Sequence, residues 1–127
     1  TVTGTTAEAT SLTLYRPELR ERVMDCYRTH GVTAMVFNND QSAMAALLAA
    51  EENGLHVPGD LTLVAWAGSV YAEGLRVPLT TVDIPIPAMV ERSLELLATD
   101  ADAGRHLFPA TLRPRSSHGP VNPSAGS

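Results

Sequence analysis

The chain has 127 residues, 44% of them apolar and 18% charged, with a net charge of −5. This balance suits one globular domain that buries roughly two thirds of its unfolded surface. It argues against direct contact with DNA: duplex-binding domains concentrate Lys and Arg to neutralise phosphates, whereas the nine basic residues here are all Arg, scattered from Arg16 to Arg115.

Residues 1–16 hold six threonines and a glycine within the first 13 positions and read as a strand remnant or a leader. A helix is predicted from Pro17, a residue that suits the first helical turn because its missing N–H is not needed there. Leu19, Val23, Cys26 and Tyr27 then form one apolar stripe, which makes Cys26 a small buried hydrophobe, and Gly31 ends the helix. Val32 to Phe37 is short, apolar and without alternation, as in a parallel strand covered on both faces. Asn39 or Asp40 caps the next helix by accepting free N–H groups of its first turn, and Gly54 fits the left-handed position that closes it.

Pro58-Gly59-Asp60 turns the chain into a second strand, Leu61 to Trp66. Residues 67–78 form a long connection, and Thr80 to Ile84 a third strand. The segment 86–99 is helical, with Val90, Leu94 and Leu97 on an apolar face, and Asp100 to Gly104 breaks it. Leu107 to Arg115 is extended but carries two prolines, which places it at a sheet edge. Residues 118–127 are a disordered tail by composition. The βαβ rhythm predicts an α/β fold, layered α/β/α around a mostly parallel sheet.

The longest apolar run, Ala43 to Ala50, is far short of the ~18 residues of a membrane span. No basic-then-apolar leader opens the chain. A single cysteine excludes an internal disulfide, the four histidines are widely spaced, and no metal-ligand spacing is present. There is no Walker A loop and no GxGxxG, so no cofactor is implied. Ser69, His56 and Asp60 make a triad only on paper, without a nucleophile elbow, and an enzyme is not expected. Asp40, Asp60 and Asp83 stand at a cap, a turn and a strand end, the usual places of a solvated carboxylate.

Taken in order, residues 33–82 carry an apolar strand ending in Asn38-Asn39-Asp40, an alanine-rich helix, Gly54, a Val-Pro-Gly-Asp turn, a second strand and Pro-Leu-Thr-Thr-Val. With the closing Pro-Ala-Thr-Leu-Arg-Pro-Arg-Ser-Ser at 109–117, this order resembles the C-terminal part of the sensor domain of LacI/GalR transcriptional regulators, one lobe of a periplasmic-binding-protein-like fold, from about residue 17 to 117. The resemblance implies a cytoplasmic, effector-sensing homodimer that touches DNA only through a helix-turn-helix headpiece absent from these residues. The effector would be sugar-like or nucleoside-like.

It also implies roles. Asn39 reaches effector hydroxyls while Asp40 caps the helix, and Trp66, where the family usually carries an aromatic, offers a stacking face to a sugar ring. Dimerisation falls to Ala43, Met44, Leu47 and Leu48 with Val70, Tyr71 and Leu75. The helix at 86–99 packs on a second lobe that these residues lack. The chain departs from the family at Ala67, where the pattern Gly-aromatic-Asp-Asp supplies a carboxylate, and at Ile84, where many relatives have a polar residue. Each missing partner for a buried hydroxyl costs roughly 1–3 kcal/mol. A fragment of a periplasmic sugar-binding protein and an interaction module with a decayed pocket are the competing readings.

Overall fold

Pro17 opens the first helix in the computed structural model, which describes residues 17–66, 68–99 and 104–120. Helix α1 (Pro17–His30) turns Leu19, Val23 and Tyr27 toward the core, and Gly31, at φ 61°, ends it in the left-handed region that a side chain disfavours. Val23 and Met24 are its buried residues; Cys26 is only half-buried.

Strand β1 (Ala34–Phe37) leads into α2 (Asp40–Glu52). The Asn39 side chain caps α2, its Oδ1 accepting from the Ser42 N–H at 2.8 Å. At the far end Asn53 donates its side-chain amide to the Ala49 carbonyl at 2.8 Å, and Gly54 follows at φ 74°. Between these caps α2 is mostly alanine, and the small side chains let it be enclosed on two sides. Ala43, Ala46, Leu47 and Ala50 join Leu61, Leu63 and Ala65 in the core over the sheet. Ala45 and Ala49 are also buried, and Ala49 lies with Met24 where α1 meets α2.

Strands β2 (Thr62–Trp66) and β3 (Thr80–Asp83) continue the sheet in parallel, and β4 (Thr111–Arg113) closes it antiparallel to β3, in the order β1-β2-β3-β4. The prolines at 109 and 114 flank β4 at the sheet edge, where an absent N–H breaks no ladder. A short 3-10 turn, Val70–Ala72, lies in the β2–β3 connection and buries Ala72 in the core. Leu47, Leu61, Leu63 and Leu79 are all buried, and each contributes roughly 1.5–3 kcal/mol by leaving water.

The mostly parallel α/β sheet is as expected, but its two faces differ. Met35, Phe37, Leu63 and Ala65 meet α2 and α1. The opposite face carries Val36, Val64, Trp66, Val82 and Leu112, aligned by the strand register, with Val36 73% exposed. The segment 32–37 therefore does not have two covered faces: exposure alternates along β1, because among the described residues helices cover one side only. Helix α3 (Ile86–Thr99) buries no residue, and its stripe of Ile86, Val90, Leu94 and Leu97 stays exposed.

Of the segment read as a tail, residues 118 and 119 are held against the sheet: Ser117 before them is fully buried, the His118 ring meets the Thr80 hydroxyl at 2.9 Å, and the Gly119 N–H donates to Thr62 Oγ1 at 3.2 Å. Residues 1–16, read as a strand remnant or leader, lie outside the described residues, as do residues 121–127.

The turn before β2 is held by Asp60, whose Oδ2 accepts the His56 backbone N–H at 2.8 Å, with the His56 ring at 3.3 Å. That backbone bond, and the ring beside it, lower the Asp60 pKa below its ordinary 3.8. A depressed carboxyl pKa contributes stability above the unfolded value, and the contribution is lost as pH falls through the folded one. Melting temperatures measured above and below pH 3.8 should therefore differ slightly less in Asp60→Ala than in the wild type. The effect is small because the carboxylate faces water.

Candidate functional site

In a βαβ unit the helix runs back along the sheet, so the start of α2 adjoins the carboxyl ends of the strands. Ligands of open α/β sheets bind at that edge. Three segments meet there: Asn38–Asp40 after β1, Trp66, Gly68 and Ser69 from β2 onward, and Asp83–Ile84 at the end of β3.

The helix cap expected of Asp40 falls to Asn39. The Asn39 side-chain amide donates to Asn38 Oδ1 at 3.0 Å. Asp40 is the first helical residue and is buried, its Oδ2 accepting the Ser69 N–H at 3.1 Å. Its carboxylate thus ties the segment after β2 to α2 and is neither a solvated cap nor open to a ligand. The cap leaves Asn39 half-buried at the edge, with a carboxamide that both donates and accepts. Trp66 ends β2 at 44% exposure on the open sheet face and is not core. Ala67 lies outside the described residues.

Asp83, read as a solvated strand end, is held on both oxygens. Thr81 donates its hydroxyl to Oδ1 at 2.6 Å, and Arg113 donates Nε–H to Oδ2 at 3.3 Å. Arg115 donates in turn to Thr81 Oγ1 at 2.7 Å and to the Leu79 carbonyl at 2.8 Å, and pairs with Glu73 at 2.6 Å. A Cβ on Gly68 would lie 2.5 Å from Asp83 Oδ1 and 2.6 Å from Thr81 Oγ1, so this corner is closed to any side chain at 68. The signal for this clamp is the spacing itself, since Thr81 and Asp83 at i and i+2 share a strand face. Ile84 is half-buried beside it. The paper triad does not assemble: His56 and Asp60 precede β2 and Ser69 follows it, about 17 Å along the strand.

The surface assigned to dimerisation divides in two. Ala43 and Leu47 are buried against the sheet of their own chain and cannot meet a partner, while Leu75 and Met44 are half-buried against the same core. Leu48, Val70 and Tyr71 are exposed, Val70 by 81%. Helix α1 packs against α2 beside Ala49 and covers part of its surface away from the sheet core. A cleft of about 550 Å³ lies between α1 and α2, lined by Arg20, Arg28, Ala49, Glu52 and Asn53, and so beside the last turn of α2 rather than the strand carboxyl ends. Arg20 pairs with Glu52 across it, and Arg28 donates to the Asn53 side-chain oxygen.

Comparison with known proteins agrees with this architecture. The model of the periplasmic binding protein-like domain matches residues 3–118. The HTH-type transcriptional regulator GalR of Escherichia coli is 33% identical over 75 residues, covering 59% of this chain and 22% of that protein. The solved dimeric Lac repressor superposes with a TM-score of 0.70 at 29% identity, over 82% of this chain and 40% of its own. A LacI family regulator CCPA from Weissella paramesenteroides, solved with bound sucrose, gives a TM-score of 0.67 at 27% identity, over 71% of this chain and 33% of its own. The chain spans about a fifth of the length of the curated relatives it matches. It belongs to the periplasmic binding protein-like domain family, and the relatives and solved neighbours named here are transcriptional regulators of the LacI/GalR kind, each matched over part of its length.

Proposed function

We propose that the chain is the effector-sensing and dimerisation part of a LacI-type transcriptional regulator that acts in the cytoplasm as a homodimer. It would reach DNA through a segment other than these 127 residues, whose net charge of −5 suits no duplex contact. The observation that carries this reading is the asparagine at the carboxyl end of β1, held at the mouth of the strand edge by its own cap, within a domain matched over residues 3–118. Relatives named as regulators of transcription support it, as does a solved neighbour holding sucrose. In this reading the effector is sugar-like or nucleoside-like, and the neighbour with sucrose favours the former. Among the described residues no helix is long and apolar enough to cross a membrane.

The isolated chain should bind simple sugars no tighter than about millimolar, because two lost polar partners weaken binding on the order of 10²-fold or more. Asn39→Asp is the discriminating variant. A carboxylate still caps α2, so the melting temperature should hold, while the carboxamide donor to a hydroxyl is gone. NMR titration with hexoses and disaccharides should show the wild type perturbed at the strand edge and Asn39→Asp weakened several-fold. A sugar that binds both alike, or perturbs residues away from that edge, would place the site elsewhere.

A further inference from the structure

We propose that Asp83 is the carboxylate that accepts hydrogen bonds from the hydroxyls of the effector, positioned by Thr81 and Arg113. This rests on the effector-sensing reading above. Neither Ala67 nor Gly68, after β2, carries a polar side chain; Asp40 at this edge is buried, and the carboxylate beside Gly68 that reaches solvent is Asp83 of the neighbouring strand. Asp83 Oδ1 and the Thr81 hydroxyl fill the volume that a side chain at 68 would occupy, so the glycine and the carboxylate are two halves of one arrangement.

The carboxylate is oriented before any ligand arrives. Arg115 donates to Thr81, Thr81 donates to Oδ1 at 2.6 Å, and Arg113 donates to Oδ2 at 3.3 Å. Each oxygen then has one acceptor position left, since a carboxylate takes about four hydrogen bonds. The side chain is 31% exposed, so those positions open to solvent. Arg113 also sets the ligand class. It balances the negative charge, so an ammonium group gains little there, whereas neutral hydroxyls are still accepted.

The test is NMR titration of the whole chain with D-galactose, D-glucose, maltose and sucrose, with melting temperature measured in parallel. Asp83→Asn should weaken any sugar that perturbs the wild type by about tenfold or more, the scale of a hydrogen bond to a charged group. Gly68→Ala, which displaces the carboxylate, should do the same. If Asp83→Asn loses its native spectrum, Arg113→Gln takes its place. It releases Oδ2 without touching β3 and should weaken binding several-fold. A sugar held equally by the wild type and the folded Asp83 or Arg113 variant overturns the role of Asp83 and leaves the sensing function standing. A wild type that no sugar perturbs overturns both.

Discussion

Ser117→Ala should lower the melting temperature by on the order of 10 °C or more. Ser117 is fully buried between β2 and β3, and its hydroxyl does two jobs: it donates to the Leu63 carbonyl and accepts the Thr80 N–H at 2.8 Å. Its own carbonyl takes the Leu63 N–H at 2.8 Å. One residue thus bridges two parallel strands ahead of the point where they pair directly, which begins at Val64 and Thr80. Alanine keeps the backbone bond but strands a buried carbonyl and a buried N–H, at roughly 1–3 kcal/mol each. A loss of about 2–5 kcal/mol is a large part of a usual domain stability of roughly 5–15 kcal/mol. The neighbouring Ser116 is exposed, and Ser116→Ala should stay within about 0.5 kcal/mol. Thermal and urea melts of the two variants make the comparison. Equal stability would mean that Ser117 does not staple the strands.

Leu47→Asp should abolish the cooperative melt. Leu47 is 4% exposed in the core with Ala43, Leu61 and Leu63, and an unpaired carboxylate there costs several kcal/mol. The exposed neighbours behave otherwise. Leu48→Asp and Val70→Asp should leave the fold intact and act on assembly, because they lie on α2 and the 3-10 turn with their side chains in solvent. Under the homodimer proposal, light scattering gives the wild type twice the 13.5 kDa chain mass at micromolar concentration, and the two variants one chain mass. A monomeric wild type removes the dimer. Dimers that survive both changes shift the interface to the exposed stripe of α3, Val90, Leu94 and Leu97.

The contrast between Leu47 and Leu48 shows where the sequence stops informing. Ala43 to Ala50 is apolar on every side, so no period distinguishes the positions that meet the sheet, those that meet α1 and those that meet water. Asn39 and Asp40 pose the same problem at shorter range. Either side chain can cap a helix. The choice was made 29 residues away, by the Ser69 N–H that needed Asp40 as its acceptor.

Local rules were enough for what local physics governs. The element order, Pro17 at a helix start, Gly31 and Gly54 in the left-handed region, and the proline-flanked edge strand at 111–113 were all legible, since each follows from the conformation that one residue can adopt. Long-range contact decided the rest. The Ser117 staple, the Asp83 clamp against Gly68, and the cover that α1 gives α2 join residues far apart in the chain. Hydrogen-bond partners and burial depend on which surfaces meet, and a linear pattern records which side chains are apolar or polar but not what they face.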